Sequence, residues 1–333
     1  MYSLAIESSC DETSVAILEG GRRILCNLIS SQIDIHKEFG GVVPEIASRK
    51  HLEVINPMID RAFKETGLKP DDIGLISVTR GPGLIGALLV GVSAAKAISF
   101  VRNIPIVGVN HMEGHVCANY LAHPDLKPPF ICLVVSGGHS YLCRVMDYAH
   151  YEVVGSTRDD AAGESFDKVS RLLGLGYPGG PAIQRLAAEG DREAIHFPRA
   201  MMEEDHFDFS FSGLKTAVIN YVHRQDQLGL AYSKADVAAS FQEAIIDVLA
   251  EKSERLLVQS GMKQFCLSGG VAANAPLRDR LKEICDRRGI SFFAPPLVLC
   301  TDNAAMIGCA GYYHYLKRGP GDLNFTADPD LGL

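Results

Sequence analysis

Phe130-Ile131-Cys132-Leu133-Val134-Val135-Ser136-Gly137-Gly138-His139-Ser140-Tyr141-Leu142-Cys143-Arg144-Val145-Met146 is the stretch that decides the fold. An apolar strand, a Ser-Gly-Gly turn and a second strand make a hairpin. It follows His123 to Pro129, a linker-like segment with three prolines. The chain opens in the same way: Tyr2 to Ile6 reads as a strand, Glu7 to Thr13 as a polar turn, and Ser14 to Leu18 as a return strand. A second unit also recurs. Ile73 to Thr79, Arg80-Gly81-Pro82-Gly83 and Leu84 to Ser99 read as strand, glycine loop and helix. Gln264 to Leu267, Ser268-Gly269-Gly270-Val271 and Ala272 to Arg287 repeat that order. Glycine loops before helices can cradle anions with backbone N–H groups, and they also close ordinary turns.

The repeated order predicts a duplicated α/β fold with RNase H-like halves and a nucleotide cleft between two lobes, the plan of the actin, sugar-kinase and Hsp70 group. The expected lobes are 1–110 plus about 297–333, and 111–296 with a helical insertion over about 155–236. The 333 residues suffice for two such lobes.

The balance of 47% hydrophobic and 22% charged residues is that of a soluble globular chain, and the net charge of −8 leaves no broad basic footprint. Any RNA contact must therefore use a local patch. Arg278, Arg280, Lys282, Arg287 and Arg288 form a basic helix that reads as such a patch or as a solvated face. Nine scattered cysteines without a Cys-x-x-Cys pair predict reduced thiols in a cytoplasmic protein. Met1 to Glu7 has no basic region before an apolar core, so no signal peptide is predicted. Leu84 to Val101 is the longest apolar run; Lys96 and several small residues make it a buried core helix rather than a membrane span.

His111 and His115 open an apolar run, Val116 to Ala122. On a helix they lie about 40° apart on one face. That spacing presents two nitrogens to one metal ion, or leaves one histidine solvated and the other satisfied. Asp302 precedes a helix that begins near Asn303 and reads as its N-cap or as a third metal ligand. Asp11 at the first hairpin tip is a turn former or a carboxylate aimed into a cleft. Gly137 and Gly138 allow close approach of a phosphate, or only a tight turn. Gly269, Gly270 and Asn274 suit a base and a ribose or phosphate oxygen, and Asp167 suits ribose hydroxyls or an acidic solvated face with Glu164 and Lys168. A zincin metalloprotease is excluded: Glu113 is the second residue after His111, roughly 200° round the helix, not the first.

Seven motifs together closely resemble the bacterial TsaD family: Glu7 to Thr13, His111 to His115, Val135 to His139, Gly163 to Lys168, Pro178 to Pro181, Ser268 to Asn274, and Thr301 to Ala304. The resemblance covers nearly the whole chain and implies the actin-like duplicated fold. It implies transfer of a threonylcarbamoyl group from threonylcarbamoyl-adenylate to N6 of the adenosine just 3′ of the anticodon, in tRNAs reading codons that begin with adenine. It further implies that His111, His115 and Asp302 bind one divalent metal, iron or alternatively zinc. Val134, Val135, Ser136, Gly137, Gly138, Asp167, Gly180 and Asn274 are implied to bind the adenylate, with Asp11 as catalytic carboxylate. Many relatives carry aspartate where this chain has Gln184, which leaves that contact out of the expected set. The implied partners are tRNA, a TsaB paralogue forming a heterodimer and the ATPase TsaE, with no membrane. The alternatives are an actin-like ATPase or kinase and a non-catalytic nucleotide-binding scaffold.

Overall fold

A computed structural model describes residues 1–202 and 205–333. In chain order the main elements are β1 (Tyr2–Glu7), β2 (Glu12–Glu19), β3 (Arg23–Ser31), α1 (Ile33–Lys37), α2 (Pro44–Thr66), β4 (Ile73–Gly81), α3 (Ile85–Arg102), β5 (Ile106–Asn110) and α4 (His111–Ala122). Then follow β6 (Phe130–Val135), β7 (Ser140–Asp147), β8 (His150–Ser156), α5 (Ala162–Leu173), α6 (Gly179–Ala187), α7 (Ser212–Leu228) and α8 (Lys234–Ser260). The chain ends with β9 (Gln264–Ser268), α9 (Ala275–Arg288), β10 (Ser291–Phe293) and α10 (Ala304–Arg318).

The chain forms two compact units. The first comprises Met1–Pro128, Met146–Tyr151 and Pro295–Leu333, and the second Pro129–Val145 and Glu152–Ala294. The first crossing lies after Pro128 rather than near residue 110, because α4 packs on α10. The two sheets have one topology. Unit one orders its strands β3-β2-β1-β4-β5 and unit two β10-β9-β6-β7-β8. In each, a hairpin leads and later strands join parallel to its first strand. The duplicated actin-like α/β plan is thus present strand for strand. Strands β3, β8 and β10 are additions to the elements expected from the sequence.

Unit one shows how its site is carried. Side chains alternate across a strand. Leu4 and Ile6 of β1 join Ile55, Ile59, Val90 and Val92 of α2 and α3 in one core cluster. Ala5, Ala16 and Leu18 face α10 through Ala304 and Ala305. Small residues on that second face let α10 lie close: a Cβ on Gly308 would stand 2.4 Å from Leu18 Cδ1. Helix α3 is long and apolar enough to cross a membrane by composition. It is not the wholly buried core helix expected: its inner face packs on the sheet, while Ile85, Leu89, Phe100 and Val101 are exposed.

Candidate metal centre and glycine cradle

Helix α4 starts at His111 because Asn110 caps it, its Oδ1 accepting from the Met112 N–H at 2.8 Å. The Asn110 amide also donates to the carbonyls of Leu331 and Gly332, which ties the cap to the C-terminal tail. The helical repeat then brings the His111 and His115 rings to a centroid distance of 4.7 Å. At the other end of unit one's sequence, Asn303 caps α10, accepting from the Met306 N–H at 3.1 Å. Of the two readings open for Asp302, the cap is made by its neighbour, and the Asp302 carboxylate faces the histidines. Its Oδ1 is 3.3 Å from His111 Nε2 and 3.4 Å from His115 Nε2.

Gly114 makes this meeting sterically feasible. It sits between the two histidines where α4 touches α10, and a Cβ there would come within 2.7 Å of Ile307 Cδ1. The close helix contact holds the start of α10, and Asp302 just before it, against the histidine face.

His111, His115 and Asp302 are the cluster of potential metal ligands found among the described residues, their ligand atoms lying within 4.8 Å of one another. Ligands sharing an ion at about 2.1 Å stand roughly 3.0 to 3.4 Å apart, which is the spacing of Asp302 Oδ1 from each histidine Nε2. Both ring nitrogens of His115 are buried without a hydrogen-bond partner, an arrangement that costs free energy unless an ion takes one of them. The donor set therefore fits a divalent metal.

Glu7 completes the centre, although it stands outside the site residues expected from the sequence. It is fully buried at the end of β1. Its Oε1 accepts from the Ser9 N–H at 2.5 Å, and its Oε2 accepts from Thr79 Oγ1 at 2.5 Å and faces His111 Nδ1 at 3.0 Å. Burial opposes the charge on Glu7, but His111 outweighs it and holds the carboxyl below its ordinary range. Burial likewise opposes charge on His111, yet Asp302 and Glu7 raise its pKa well above the usual imidazole value. Burial lowers the pKa of His115, which stays neutral. Asp302 is held far below the usual carboxylate range: burial works against its charge, and the two histidines prevail. The sequence signal for Glu7 is a glutamate directly continuing the apolar run Leu4-Ala5-Ile6.

Asp11 is buried beyond β1, in contact with the side chains of Cys10 and Glu12. Glu12 is a second residue outside the expected set. Burial, with the Asp302 and Asp11 carboxylates, pushes its carboxyl up to about 9, so it is neutral at pH 7. A neutral carboxyl beside Asp11 is a hydrogen-bond donor to it.

The glycine loop Arg80 to Gly83 is not an anion cradle. Its Gly83 N–H donates to the Pro329 carbonyl, the next N–H, of Leu84, to Ser9 O, and the C-terminal tail lies against it. Glu113 points away from the metal side, as expected, and meets His314 Nε2.

Within unit two, the expected donor-binding residues gather where the central strand β6 ends. Val134 and Val135 end β6, and Ser136 to His139 form a tight turn with Ser136 N–H bonded to His139 O at 2.8 Å. A Cβ on Gly163 of α5 would meet Ser136 O at 2.5 Å, and one on Gly269 would meet Val135 O at 2.3 Å. The starts of α5 and the β9 loop thus pack directly on this turn. Asp167 Oδ1 accepts from the Gly179 N–H at 2.7 Å and so fixes the start of α6 beside Gly180. Gln184 Oε1 accepts from the Ala275 N–H at 3.1 Å, which joins α6 to the Asn274 loop. Asn274 itself is the cap of α9: its Oδ1 accepts from Leu277 N–H and its amide donates to Gln242. Gly137, Gly138, Gly180 and Gly270 border open space, with no atom within 4 Å of where a Cβ would stand. Helices α5 and α6 start here without a capping side chain at the N-cap. The Ala162 N–H bonds Ser140 Oγ and the Gly179 N–H bonds Asp167, while the backbone at Gly180, before Pro181, borders open space where an anion can approach.

The family model for TsaD, tRNA N6-adenosine threonylcarbamoyltransferase, matches residues 23–309. The chain belongs to the TsaD family. A tRNA N6-adenosine threonylcarbamoyltransferase of Clostridioides difficile (strain 630) is 55% identical over 333 residues, 100% of this chain and 98% of that protein. One from Clostridium botulinum (strain Kyoto / Type A2) is 53% identical over 330 residues, 99% and 97% of the two chains. Among solved structures, full-length HypF in the phosphate- and nucleotide-bound form has a TM-score of 0.63 at 15% identity, over 96% of this chain and 47% of that one. The activator of 2-hydroxyisocaproyl-CoA dehydratase from Clostridium difficile with bound ADPNP has a TM-score of 0.54 at 12% identity, over 97% and 99%. At these identities the structural likeness speaks for the fold alone, and TsaD membership carries the activity.

Proposed function

We propose that this TsaD-family chain transfers threonylcarbamoyl from threonylcarbamoyl-adenylate to N6 of the adenosine just 3′ of the anticodon, in tRNAs that read codons beginning with adenine. The observation that carries the reading is full-length membership in a tRNA threonylcarbamoyltransferase family joined to a preorganised His111–His115–Asp302 set. The N6 lone pair is delocalised into the adenine ring, so the amine is a weak nucleophile. The donor is an activated mixed anhydride. The protein must orient both and stabilise charge as it develops.

His111, His115 and Asp302 hold one divalent ion, iron or zinc, which when bound supplies Lewis acidity toward donor oxygens. Glu7 keeps His111 Nδ1–H oriented, leaving Nε2 as the ligand atom. Asp11 takes the N6 proton as the amine becomes acidic during attack. Gly137, Gly138 and Gly180 bring backbone N–H groups to the adenylate phosphate, Val134 to Ser136 hold the turn from the end of β6, and Asp167 sets the position of the α6 start. Asn274 serves the adenylate through the shape of its loop, because its side chain already caps α9.

The partners are tRNA, a paralogous TsaB subunit and the ATPase TsaE, and the protein works in the cytoplasm. Leu52 of α2 with Ile85 and Leu89 of α3 supports the paralogue, since these three exposed apolar side chains lie on helices that pack together. The test is reconstituted transfer of labelled threonine to an unmodified tRNA transcript, given synthase-made adenylate, TsaB and TsaE. Label on N6 of the target adenosine is expected, and little without TsaB. ATP hydrolysis by this chain without tRNA labelling would favour an ATPase instead.

A further inference from the structure

We infer that the cavity beneath the C-terminal tail of unit one, between Arg80 and Arg318, takes a backbone phosphate of the tRNA. This rests on tRNA being the substrate. The tail pairs with the edge strand β5, Gly321 N–H donating to Ile106 O at 2.8 Å. Beyond it, Phe325 and the Arg80 stem lie over Gly108, where a Cβ would stand 2.9 Å from Arg80 Cδ and 3.1 Å from the Phe325 ring. The Arg80 guanidinium is thereby held 5.9 Å from the Phe325 centroid, and Lys96 Nζ lies 4.6 Å from the same ring.

The cavity has a volume of about 390 Å³ and is lined by Arg80, Arg318, His314 and Asp322. Arg80 is half-buried, and its Nε is buried without a hydrogen-bond partner. Arg318 donates from Nη2 to Ala149 O at 3.2 Å. Among the described residues neither guanidinium has a carboxylate partner. His314 is engaged by Glu113. Asp322 accepts from the backbone N–H and side-chain amide of Asn324.

A guanidinium withdrawn from water without a counter-charge is unfavourable. That cost falls on Arg80; Arg318 lines the same cavity from an exposed position, and the forked donors of the two match phosphate oxygens. The basic helix α9 lacks this property. Arg280 pairs with Glu243 and Asp247, Lys282 with Asp286, and Arg287 and Arg288 with Glu254. In the larger groove of about 1210 Å³ along α8 and α9, Arg199 and Arg280 pair with Asp247, and Arg287 and Arg288 with Glu254. In a chain of net charge −8, un-neutralised cations are where a polyanion gains most.

The test measures binding of an unmodified tRNA transcript to the full chain over a salt series. Arg80→Ser with Arg318→Ser is expected to weaken binding about tenfold at low salt. The slope of log affinity against log salt should fall by about 0.9, one phosphate contact. Melting temperature and metal content should hold. Lysine at both positions should restore the slope, and Arg287→Ser with Arg288→Ser should leave it unchanged. A stably folded serine variant with wild-type affinity and slope overturns the proposal. So does loss of inorganic phosphate binding with tRNA affinity intact, which would make this a free-anion site. Wild-type chain that binds no tRNA at any salt removes the substrate reading itself.

Discussion

Glu7 Oε2 stands 3.0 Å from His111 Nδ1, with the glutamate wholly out of water. The pair sets the imidazole tautomer: Nδ1 carries the proton toward Glu7, and Nε2 faces Asp302. Partners in this position tune metal affinity by about 10- to 100-fold. Glu7→Gln is therefore expected to weaken divalent-metal binding within that range, measured by competition with a chromophoric chelator. Some loss of melting temperature should accompany it, since donors from Ser9, Thr79 and His111 were satisfied by two oxygens. A variant that melts lower yet binds metal normally would leave Glu7 a purely structural acceptor.

The same geometry dictates a pH dependence. His111 is raised above the ordinary value of about 6.5, whereas His115 is lowered. Only His111 must shed a proton to accept metal near neutrality. Binding should release close to one proton per metal at pH 7, seen by calorimetry in buffers of different ionisation enthalpy, and affinity should fall as pH drops. Release of two would mean that His115 is charged too.

The metal-free chain should behave oppositely. A raised histidine stabilises the fold fully below its unfolded value of about 6.5 and ceases to as pH rises through its folded value. The lowered carboxylates of Glu7 and Asp302 stabilise above about 4 and are lost as pH falls. Melting of chelator-stripped protein should therefore peak at mildly acidic pH. A peak above pH 8 would contradict the buried ion-pair arrangement.

Gly114 links packing to the site. Gly114→Val places atoms into Ile307 and should push the start of α10 away from α4. Overpacking of this kind costs about 1 to 3 kcal/mol. Metal content should fall with it, because Asp302 rides on that helix start. Full metal content in this variant would show that Asp302 is placed independently of the α4–α10 contact.

The parts legible in the sequence are those written in local pattern. Helical spacing puts His111 and His115 on one face, and alternation with repeated turns reveals the duplicated topology. Three further features depend on chain segments far apart. Asn303, not Asp302, caps α10, and two adjacent cap-type residues cannot be told apart without backbone angles. Glu7 becomes significant only when β1 is laid beside β4 and α4, bringing Thr79 and His111 to it. Arg80-Gly81-Pro82-Gly83 looks like an anion loop, but the tail from Asp328 occupies its N–H side. The half-exposed face of α3 is hidden by composition, since exposed and buried leucines read alike.

The glycine cradle of unit two has its own test. Gly137 borders open space, so Gly137→Val should fold normally while its side chain fills the approach to the turn. Calorimetric titration with a non-hydrolysable adenylate analogue should then show weak binding or none. Normal affinity would move the donor site elsewhere.

The proposed dependence of transfer on one ion held by His111, His115 and Asp302 rests on the Asp302 carboxylate as third ligand. Asp302→Ser tests it most directly, because Asn303 supplies the α10 cap and the fold should survive. The measurement is metal per chain by elemental analysis, paired with threonylcarbamoyl transfer to tRNA and melting temperature. The expected result is a stable protein that has lost most of its metal and its transfer activity together. A variant with one metal per chain and full transfer would contradict the account.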